Sequence, residues 1–110
     1  MEFLKTQGYK ILELNYRNKL GEIDIIARDK GVICFLEVKA RHFAGFGLPQ
    51  EAVTLAKQRQ ICRVAVGYLK SRGWLDQEAR FDVVAILYEN ARPRITLIRG
   101  AFELSSGLDF

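Results

Sequence analysis

Three charged side chains interrupt two apolar runs in the first half of the chain. Asp24 stands among the isoleucines of residues 22–28, and Glu37 and Lys39 stand in the apolar run of residues 32–40. Runs this rich in Ile, Val and aromatic residues are typical of strands covered on both faces. A carboxylate there must be paired, hydrogen-bonded or bound to a metal, because burying it alone is costly. Converging carboxylates are also the hard oxygen ligands that suit Mg²⁺ or Mn²⁺.

A turn signal at residues 29–31 separates the two runs and predicts a β-hairpin. With a two-residue loop, Asp24 lies directly opposite Glu37, at a Cβ separation of about 4.5–5.5 Å. In the same register Glu22, which shares a face with Asp24, lies opposite Lys39. A three-residue loop would place Asp24 and Glu37 on opposite faces unless a bulge corrected the register. The two-residue loop therefore predicts one cluster of carboxylates and an ammonium group. Its alternative function is a structural salt-bridge cluster inside the sheet.

Such a cluster could hydrolyse a phosphodiester. We expect Asp24 and Glu37 to bind Mg²⁺ (or Mn²⁺), which can polarise a phosphate and orient the attack of water. Lys39 would align the water or neutralise developing charge, and Glu22 would be a further ligand or would support Lys39.

A long helix is predicted to begin after Thr54, a good N-cap residue, and to end near Arg72, with Gly73 beyond its end. Gln58 shares the inward face of this helix with Ile61, so its amide could reach the carboxylates and orient a ligand or a phosphate. The alternative is an amide that caps or bridges the start of the helix.

The chain is basic, with a net charge of +4 and a pI near 9.3. This balance permits nucleic-acid binding without proving it. Five cations are candidates for phosphate contacts, two near the turn before the first apolar run, one in a loop predicted over residues 40–50, and two on the helix: Arg17, Lys19, Arg41, Lys57 and Arg63. Each could equally be a solvated surface charge, and His42, the single histidine, receives no role.

The order of these residues resembles a known family. Asp24, followed on the next strand by Glu37-Val38-Lys39, resembles the PD-(D/E)xK nuclease signature. An ordered set that extends over nearly the whole chain resembles the YraN-type family of bacterial predicted endonucleases: Gly8-Tyr9-x-Ile11-Leu12, Asn15-Tyr16-Arg17, Gly21 to Ile26, Glu37-Val38-Lys39, Pro49-x-Glu51-Ala52-Val53-Thr54 and Lys57-Gln58. The resemblance implies a restriction-endonuclease-like fold similar to Holliday-junction resolvases. It also implies nucleic acid as the partner, with DNA favoured, either linear or branched, and it is compatible with a homodimer.

The sequence departs from the family pattern at its start. The family usually carries a Gly-Glu pair in a longer N-terminal helix, upstream of the segment that matches Phe3-Leu4. This sequence begins at Met1, and Glu2 does not fall at the matching position. If the missing Glu is a metal ligand, we expect impaired activity.

The elements that must position these residues are predicted in the order short helix, three strands, long helix, two strands. This order indicates an α/β fold with a mixed five-stranded sheet, in one domain over residues 1–110 whose tail, 100–110, docks loosely. The fourth strand is predicted over Ala79–Glu89, and the fifth over Arg94–Arg99 after a turn at residues 90–93. Asp82 is expected either to pair with a neighbouring arginine such as Arg80 or to contact the residues that bind the metal.

Composition narrows the compartment and the partners. No signal peptide is visible, and no apolar run approaches the roughly 20 residues of a membrane-spanning helix, so we expect a cytoplasmic protein without membrane contact. Cys34 and Cys62 lack metal-ligand spacing and are expected to be reduced core thiols.

Three functions remain open on the sequence. The first is a metal-dependent phosphodiesterase, the second a nuclease fold kept for nucleic-acid binding without catalysis, and the third a protein-interaction subunit. Steeply salt-dependent binding would separate the first two from the third, because phosphate contacts release counterions.

Overall fold

The computed structural model describes residues 2–42 and 53–102, with the main chain alone at 41 and 42. Its elements follow the predicted order: α1 Glu2–Thr6, β1 Lys10–Asn18, β2 Gly21–Asp29, β3 Val32–His42, α2 Leu55–Arg72, β4 Ala79–Glu89 and β5 Arg92–Phe102. Residues 43–52 and 103–110, which include most of the predicted loop and of the predicted tail, lie outside the described residues.

The five strands form one sheet in the order β1-β2-β3-β4-β5. Neighbours are antiparallel except β3 and β4, which are parallel. Parallel strands need a crossover, and α2 supplies it between β3 and β4. The predicted α/β fold with a mixed five-stranded sheet, a short N-terminal helix and one long helix after the third strand is confirmed, and it is compatible with a nuclease-like core.

The hairpin between β2 and β3 has the two-residue loop on which the predicted register depends. Lys30 and Gly31 have φ angles of 52° and 87°, the pair of positive values that a type I′ turn requires. Asp29 pairs with Val32, and the pairing continues to Ile25 opposite Leu36. Gly at the second loop position adopts its positive φ without steric cost.

Apolar side chains pack on both faces of the sheet. On one face α2 covers a cluster that includes Ile23, Ile26, Phe35 and Val83. On the other face a smaller cluster includes Leu4 of α1, Ile25 and Val84. This double cover explains why the strands read as continuous apolar runs.

Helix α2 has the predicted ends. The Thr54 side chain accepts a hydrogen bond from the Lys57 main-chain N–H, and Gly73 closes the helix with a φ of 73°. These caps satisfy main-chain groups that would otherwise lack partners.

Two boundaries differ from the prediction. Residues 40–42 belong to β3 rather than to a loop, because β4 continues beside them as far as Tyr88. Strand β5 spans Arg92–Phe102 rather than 94–99, and the turn before it shortens to Asn90 and Ala91. The Phe102 ring stacks on Phe81 with centroids 4.8 Å apart, which anchors the longer strand. In the described part of the chain, no helix is long and apolar enough to cross a membrane.

Candidate active site

The candidate site lies where β2 and β3 stop pairing. Their last paired residues are Ile25 and Leu36, so the next register positions belong to Asp24 and Glu37. At this point a hydrogen bond to a side chain takes the place of the main-chain hydrogen bonds between the strands. The Val38 main-chain N–H donates to Asp24 Oδ2 at 2.8 Å. This bond holds the Asp24 carboxylate against β3, beside Glu37.

A break in side-chain alternation accompanies this divergence. Strict alternation puts Ile23 and Ile26 on opposite faces, yet both pack in the cluster beneath α2. Across β1, Asn15 occupies the register position opposite Asp24 and has a φ of 51°. A positive φ in a non-glycine residue marks a local irregularity of the strand. At this irregularity the Asp24 side chain reaches the main chain of β3.

Glu37 is the most unusual group of the site. Its side chain lies on the α2 face, it is only 4% exposed, and its Oε1 atom has no hydrogen-bond partner. Burial, reinforced by the neighbouring Asp24 carboxylate, raises the pKa of Glu37 to about 8. Without a ligand, the Glu37 carboxyl therefore holds its proton at neutral pH. A cation bound at this oxygen would compensate the burial of its charge.

Two lysines act on Glu37 from different elements. Lys39 follows it on the same face of β3, and Lys57 extends from the first turn of α2; both are half-buried. Both lower the pKa of Glu37, and the contribution of Lys57 is the larger. The sequence had predicted only a phosphate contact for Lys57, because helical periodicity does not fix how a helix docks on the sheet.

Gln58 makes a local contact at the start of α2. Its side-chain Nε2 donates to the Val53 carbonyl at 2.9 Å. This is the bridging amide that the sequence offered as the alternative to a ligand-orienting group. A role for Gln58 at the carboxylates stays a prediction.

Glu22 does not join Asp24 and Glu37. Because Ile23 packs beneath α2, its neighbour Glu22 belongs to the opposite face, where its carboxylate pairs with Arg17 at 2.8 Å. Over residues 2–42 and 53–102, no three side chains of Asp, Glu, His or Cys converge in a way that could hold a metal. The structure thus brings together two of the three predicted carboxylates.

The remaining predicted cations lie around the β1–β2 turn and α2. The Asn18 side chain donates to the Val64 carbonyl and the Gln60 side chain to the Leu20 carbonyl, each at 3.3 Å, so the turn that carries Lys19 rests on α2. Lys19 and Arg63 are exposed, whereas Arg17 is engaged by Glu22. The side chain of Arg41 lies outside the described residues.

The donor set fits a Mg²⁺ or Mn²⁺ ion held in part by water and substrate. Mg²⁺ is usually bound through one or two carboxylates plus phosphate oxygens, and it keeps several waters. Asp24 and Glu37 supply two carboxylates, and the partnerless Oε1 atom of Glu37 is a free acceptor in a buried position. Such an acceptor calls for a ligand, because leaving it unsatisfied is costly.

Comparison with known proteins gives a consistent result. The sequence model of the "Uncharacterised protein family UPF0102" matches residues 1–86. A UPF0102 protein of Geobacter sulfurreducens is 48% identical over 104 residues, which cover 94% of this chain and 81% of that protein. A UPF0102 protein of Desulforapulum autotrophicum is 50% identical over 101 residues, with coverage of 92% and 84%. One from Geotalea daltonii is 51% identical over 104 residues, with coverage of 94% and 82%.

Proposed function

The chain belongs to the UPF0102 family, the YraN-type family that its motifs resemble, and on that premise we propose that it is a metal-dependent endonuclease. The proposed reaction is hydrolysis of a phosphodiester in nucleic acid, with DNA as the favoured substrate. One observation carries the proposal above the others: a buried glutamate with a partnerless oxygen lies beside a second carboxylate. Most buried polar side-chain atoms of native folds have a hydrogen-bond partner, so this free oxygen favours a ligand-binding site over a purely structural cluster.

Each residue of the site has a defined task in this proposal. Asp24 and Glu37 hold Mg²⁺ or Mn²⁺, which supplies Lewis acidity toward a phosphate oxygen when it is bound. Val38 fixes the orientation of Asp24 through its N–H. Lys39 orients the attacking water, and Lys57 offsets the negative charge that builds up on the phosphate. Since Glu37 is protonated at neutral pH without a ligand, it must release its proton when the cation is bound.

Exposed cations around the site supply the attraction for a polyanionic substrate. Lys19 and Arg63 lie on adjoining elements, the β1–β2 turn and α2, and neither forms an ion pair within the described residues. Arg17 is exposed but shares its charge with Glu22, and Arg41 lies near the end of β3. Neutralising phosphates in this way gives binding that weakens steeply with salt.

The test is cleavage of a substrate panel in Mg²⁺ and in Mn²⁺: single-stranded, duplex, flapped and four-way-junction DNA, and RNA. We expect Asp24→Asn, Glu37→Gln and Lys39→Ala each to reduce cleavage by about 100-fold or more, the scale for losing one preorganised group of an active site. Glu78→Gln is the matched control, since it makes the same carboxylate-to-amide change at an exposed position before β4. Cleavage that survives both Asp24→Asn and Lys39→Ala, or that needs no divalent ion, would overturn the proposal.

One observation favours a second candidate, a nuclease fold that binds nucleic acid without cutting it. Glu22 is paired with Arg17, and no third carboxylate joins the site within the described residues. In that case Glu37→Gln would leave salt-sensitive binding intact, and no member of the panel would be cut in either metal.

A further inference from the structure

The sheet continues past the candidate site as a three-stranded arm, formed by residues 38–42 of β3, 84–89 of β4 and 92–97 of β5. Across the arm Lys39 lies opposite Ala85, and Ala85 lies opposite Thr96. One step further, the backbone position of Arg41 aligns with Leu87, and Leu87 pairs with Arg94. The outermost pair is Glu89 with Arg92, beside the turn that joins β4 and β5.

Burial at the base of the arm shows which of its residues share the face of the site. Val83 and Ile98 pack in the cluster beneath α2, and Val84 and Leu97 belong to the opposite face. Alternation along each strand then assigns the arm's remaining residues. The face that carries Glu37 also carries these side chains: Lys39, Ala85, Leu87, Glu89, Arg92, Arg94 and Thr96.

This face forms a basic path that leads away from the carboxylates. Arg92 and Arg94 are exposed, the Arg94 side chain to 72%, and Arg92 forms no ion pair within the described residues. Glu89 is the one acid on the described face beyond Glu37, and it meets Arg94 at 3.5 Å, in a contact open to solvent. Such an exposed pair is weak and exchanges readily for a phosphate.

The tip of the arm is concave. Five residues line a cavity of about 350 Å³ there: Glu89, Asn90, Arg92, Pro93 and Arg94. Guanidinium groups at its wall present planar, two-pronged donors, which match the oxygens of a phosphate better than an ammonium does. An anionic group is therefore the complementary occupant.

We propose that this face of the arm binds the phosphate backbone of the DNA on which the candidate site acts, with Arg92 and Arg94 as the contacts. The inference rests on the proposed function, which supplies DNA as the partner. It adds the direction in which the bound DNA extends away from the site. The six residue-to-residue steps from Val83 to Glu89 extend about 20 Å along β4, which is somewhat more than half of the roughly 34 Å turn of B-form DNA. Phosphate contacts at that distance hold the strand in register over the carboxylates.

The test compares salt dependence of binding, measured by fluorescence anisotropy in EDTA with a labelled duplex, the corresponding single strand and an RNA of the same sequence. For duplex DNA, Arg92→Gln/Arg94→Gln should reduce the slope of log K against log salt by about 1.8, the value for two lost phosphate contacts at 0.9 each. Lys10→Gln/Lys70→Gln removes the same charge from the start of β1 and the last turn of α2, at exposed positions without ion pairs in the described structure. This control should leave the slope unchanged.

Two further variants test whether removing an acid from the arm tightens DNA binding and whether lysine can replace the two arginines. Glu89→Gln should tighten binding, because it removes the acid that competes with phosphate for Arg94. Arg92→Lys/Arg94→Lys should keep most of the slope, since each lysine still neutralises a phosphate as a point charge. Thermal unfolding of all variants should match the wild type because the replaced side chains are exposed, except for Glu89, which is half-buried.

The outcomes separate this inference from the proposed function. If the wild type cuts DNA but the arm variant keeps its full slope, the inference is wrong and the proposed function stands. If binding depends on the arm but no substrate is cut in Mg²⁺ or Mn²⁺, the inference stands and the proposed catalysis fails. Equal slope loss in the arm variant and in the control shows general attraction and overturns the inference, and absence of binding to every probe overturns both.

Discussion

The two aspartates of strand β2, Asp24 in its first half and Asp29 at its end, have opposite surroundings. Asp24 meets Glu37 on the α2 side of the sheet, at the point where β2 and β3 diverge. Asp29 and Asp82 meet on the side of α1, at the other end of the strand. Each end holds a pair of acids in or beside a packed sheet, so the difference between them lies in their partners.

At the Asp29–Asp82 end, both carboxylates have ion-pair and hydrogen-bond partners. Arg80 bridges the two carboxylates: it pairs with Asp29, and its Nε donates to Asp82 at 2.9 Å. Asp82 also accepts hydrogen bonds from the Tyr9 hydroxyl at 2.8 Å and from the Gly100 main-chain N–H of β5 at 2.9 Å. Asp29 pairs in addition with Arg99 of β5 at 3.1 Å. The hydrogen bond from Arg80 is the main reason that the pKa of Asp29 is lowered.

The Asp24–Glu37 end has no guanidinium and retains a partnerless oxygen. Its nearest cations, Lys57 and Lys39, act on Glu37 without an ion pair, so burial prevails and the pKa of Glu37 rises. Removing one partner of a buried ion pair is strongly destabilising, and a buried carboxylate that has no partner is costly unless something binds it. The comparison supports function at the second end and structure at the first.

Arg80→Met should produce the largest effect on stability. It leaves Asp29 and Asp82 buried without their shared partner, and we expect the free energy of unfolding to fall by about 3–5 kcal/mol. Urea denaturation measures this change. The matched control is Lys57→Met, which removes a cation of α2 beside the Asp24–Glu37 end without breaking an ion pair. It should lower the free energy of unfolding by less than about 1 kcal/mol. Equal losses in the two variants would remove the distinction between the ends.

Glu37→Gln should stabilise the metal-free protein above neutral pH. A carboxyl whose pKa rises from 4.5 to about 8 on folding contributes stability that is complete below pH 4.5 and is lost as the pH rises through 8. Urea denaturation in EDTA between pH 5 and pH 9 should therefore show the wild type losing about 2–4 kcal/mol that the variant keeps. A wild type whose stability does not fall over this range would contradict the burial of Glu37 without an ion-pair partner.

The paired end predicts the reverse dependence on pH. Because the pKa of Asp29 is lowered on folding, its contribution is present above the ordinary pKa of an aspartate and is lost as the pH falls through the lowered value. The two ends thus limit stability from opposite sides of the pH range.

Lys57→Met should have the smallest effect, and it sharpens the assignment of Lys57 to the site. Removing this cation should raise the pKa of Glu37 further, and Lys39→Met should raise it less, because Lys57 makes the larger contribution. An NMR titration of the Glu37 side-chain carboxyl in the metal-free protein measures both shifts. Reversed shifts would place Lys39, rather than Lys57, closer to the carboxylate, and equal shifts would remove the difference between the two lysines.

Much of this fold was predictable because it depends on residues that are close together in the sequence. The Lys30-Gly31 loop suits one turn type, which fixes the pairing of Asp29 with Val32 and hence the meeting of Asp24 with Glu37. Thr54 and Gly73 fixed the ends of α2 because caps act within a turn of the helix. The pairing of Arg80 with Asp82 was also expected, since the two lie on one face of β4.

Other features depended on neighbours that are distant in sequence. Strand β3 extends to His42 because β4 runs beside it, and alternation fails at Asp24 where Asn15 of β1 takes a positive φ. Glu22 therefore faces Arg17 rather than the site. A period of two residues holds only while the strand stays regular. The one local sign of the irregularity is Asn15 itself, because asparagine is enriched at positive φ, and this sign is weak within an otherwise regular strand pattern.

The sequence by itself determined the order of the elements, the register of the central hairpin and the identity of two converging carboxylates, because turn geometry and apolar periodicity act locally. Tertiary structure alone decided which of the carboxylates pair with a cation. Arg80 and Arg99 reach Asp29 from strands more than fifty residues away, and Lys57 approaches Glu37 because α2 docks with its first turn beside the diverging strands. Charge compensation of buried groups depends on three-dimensional distance, which no local pattern encodes.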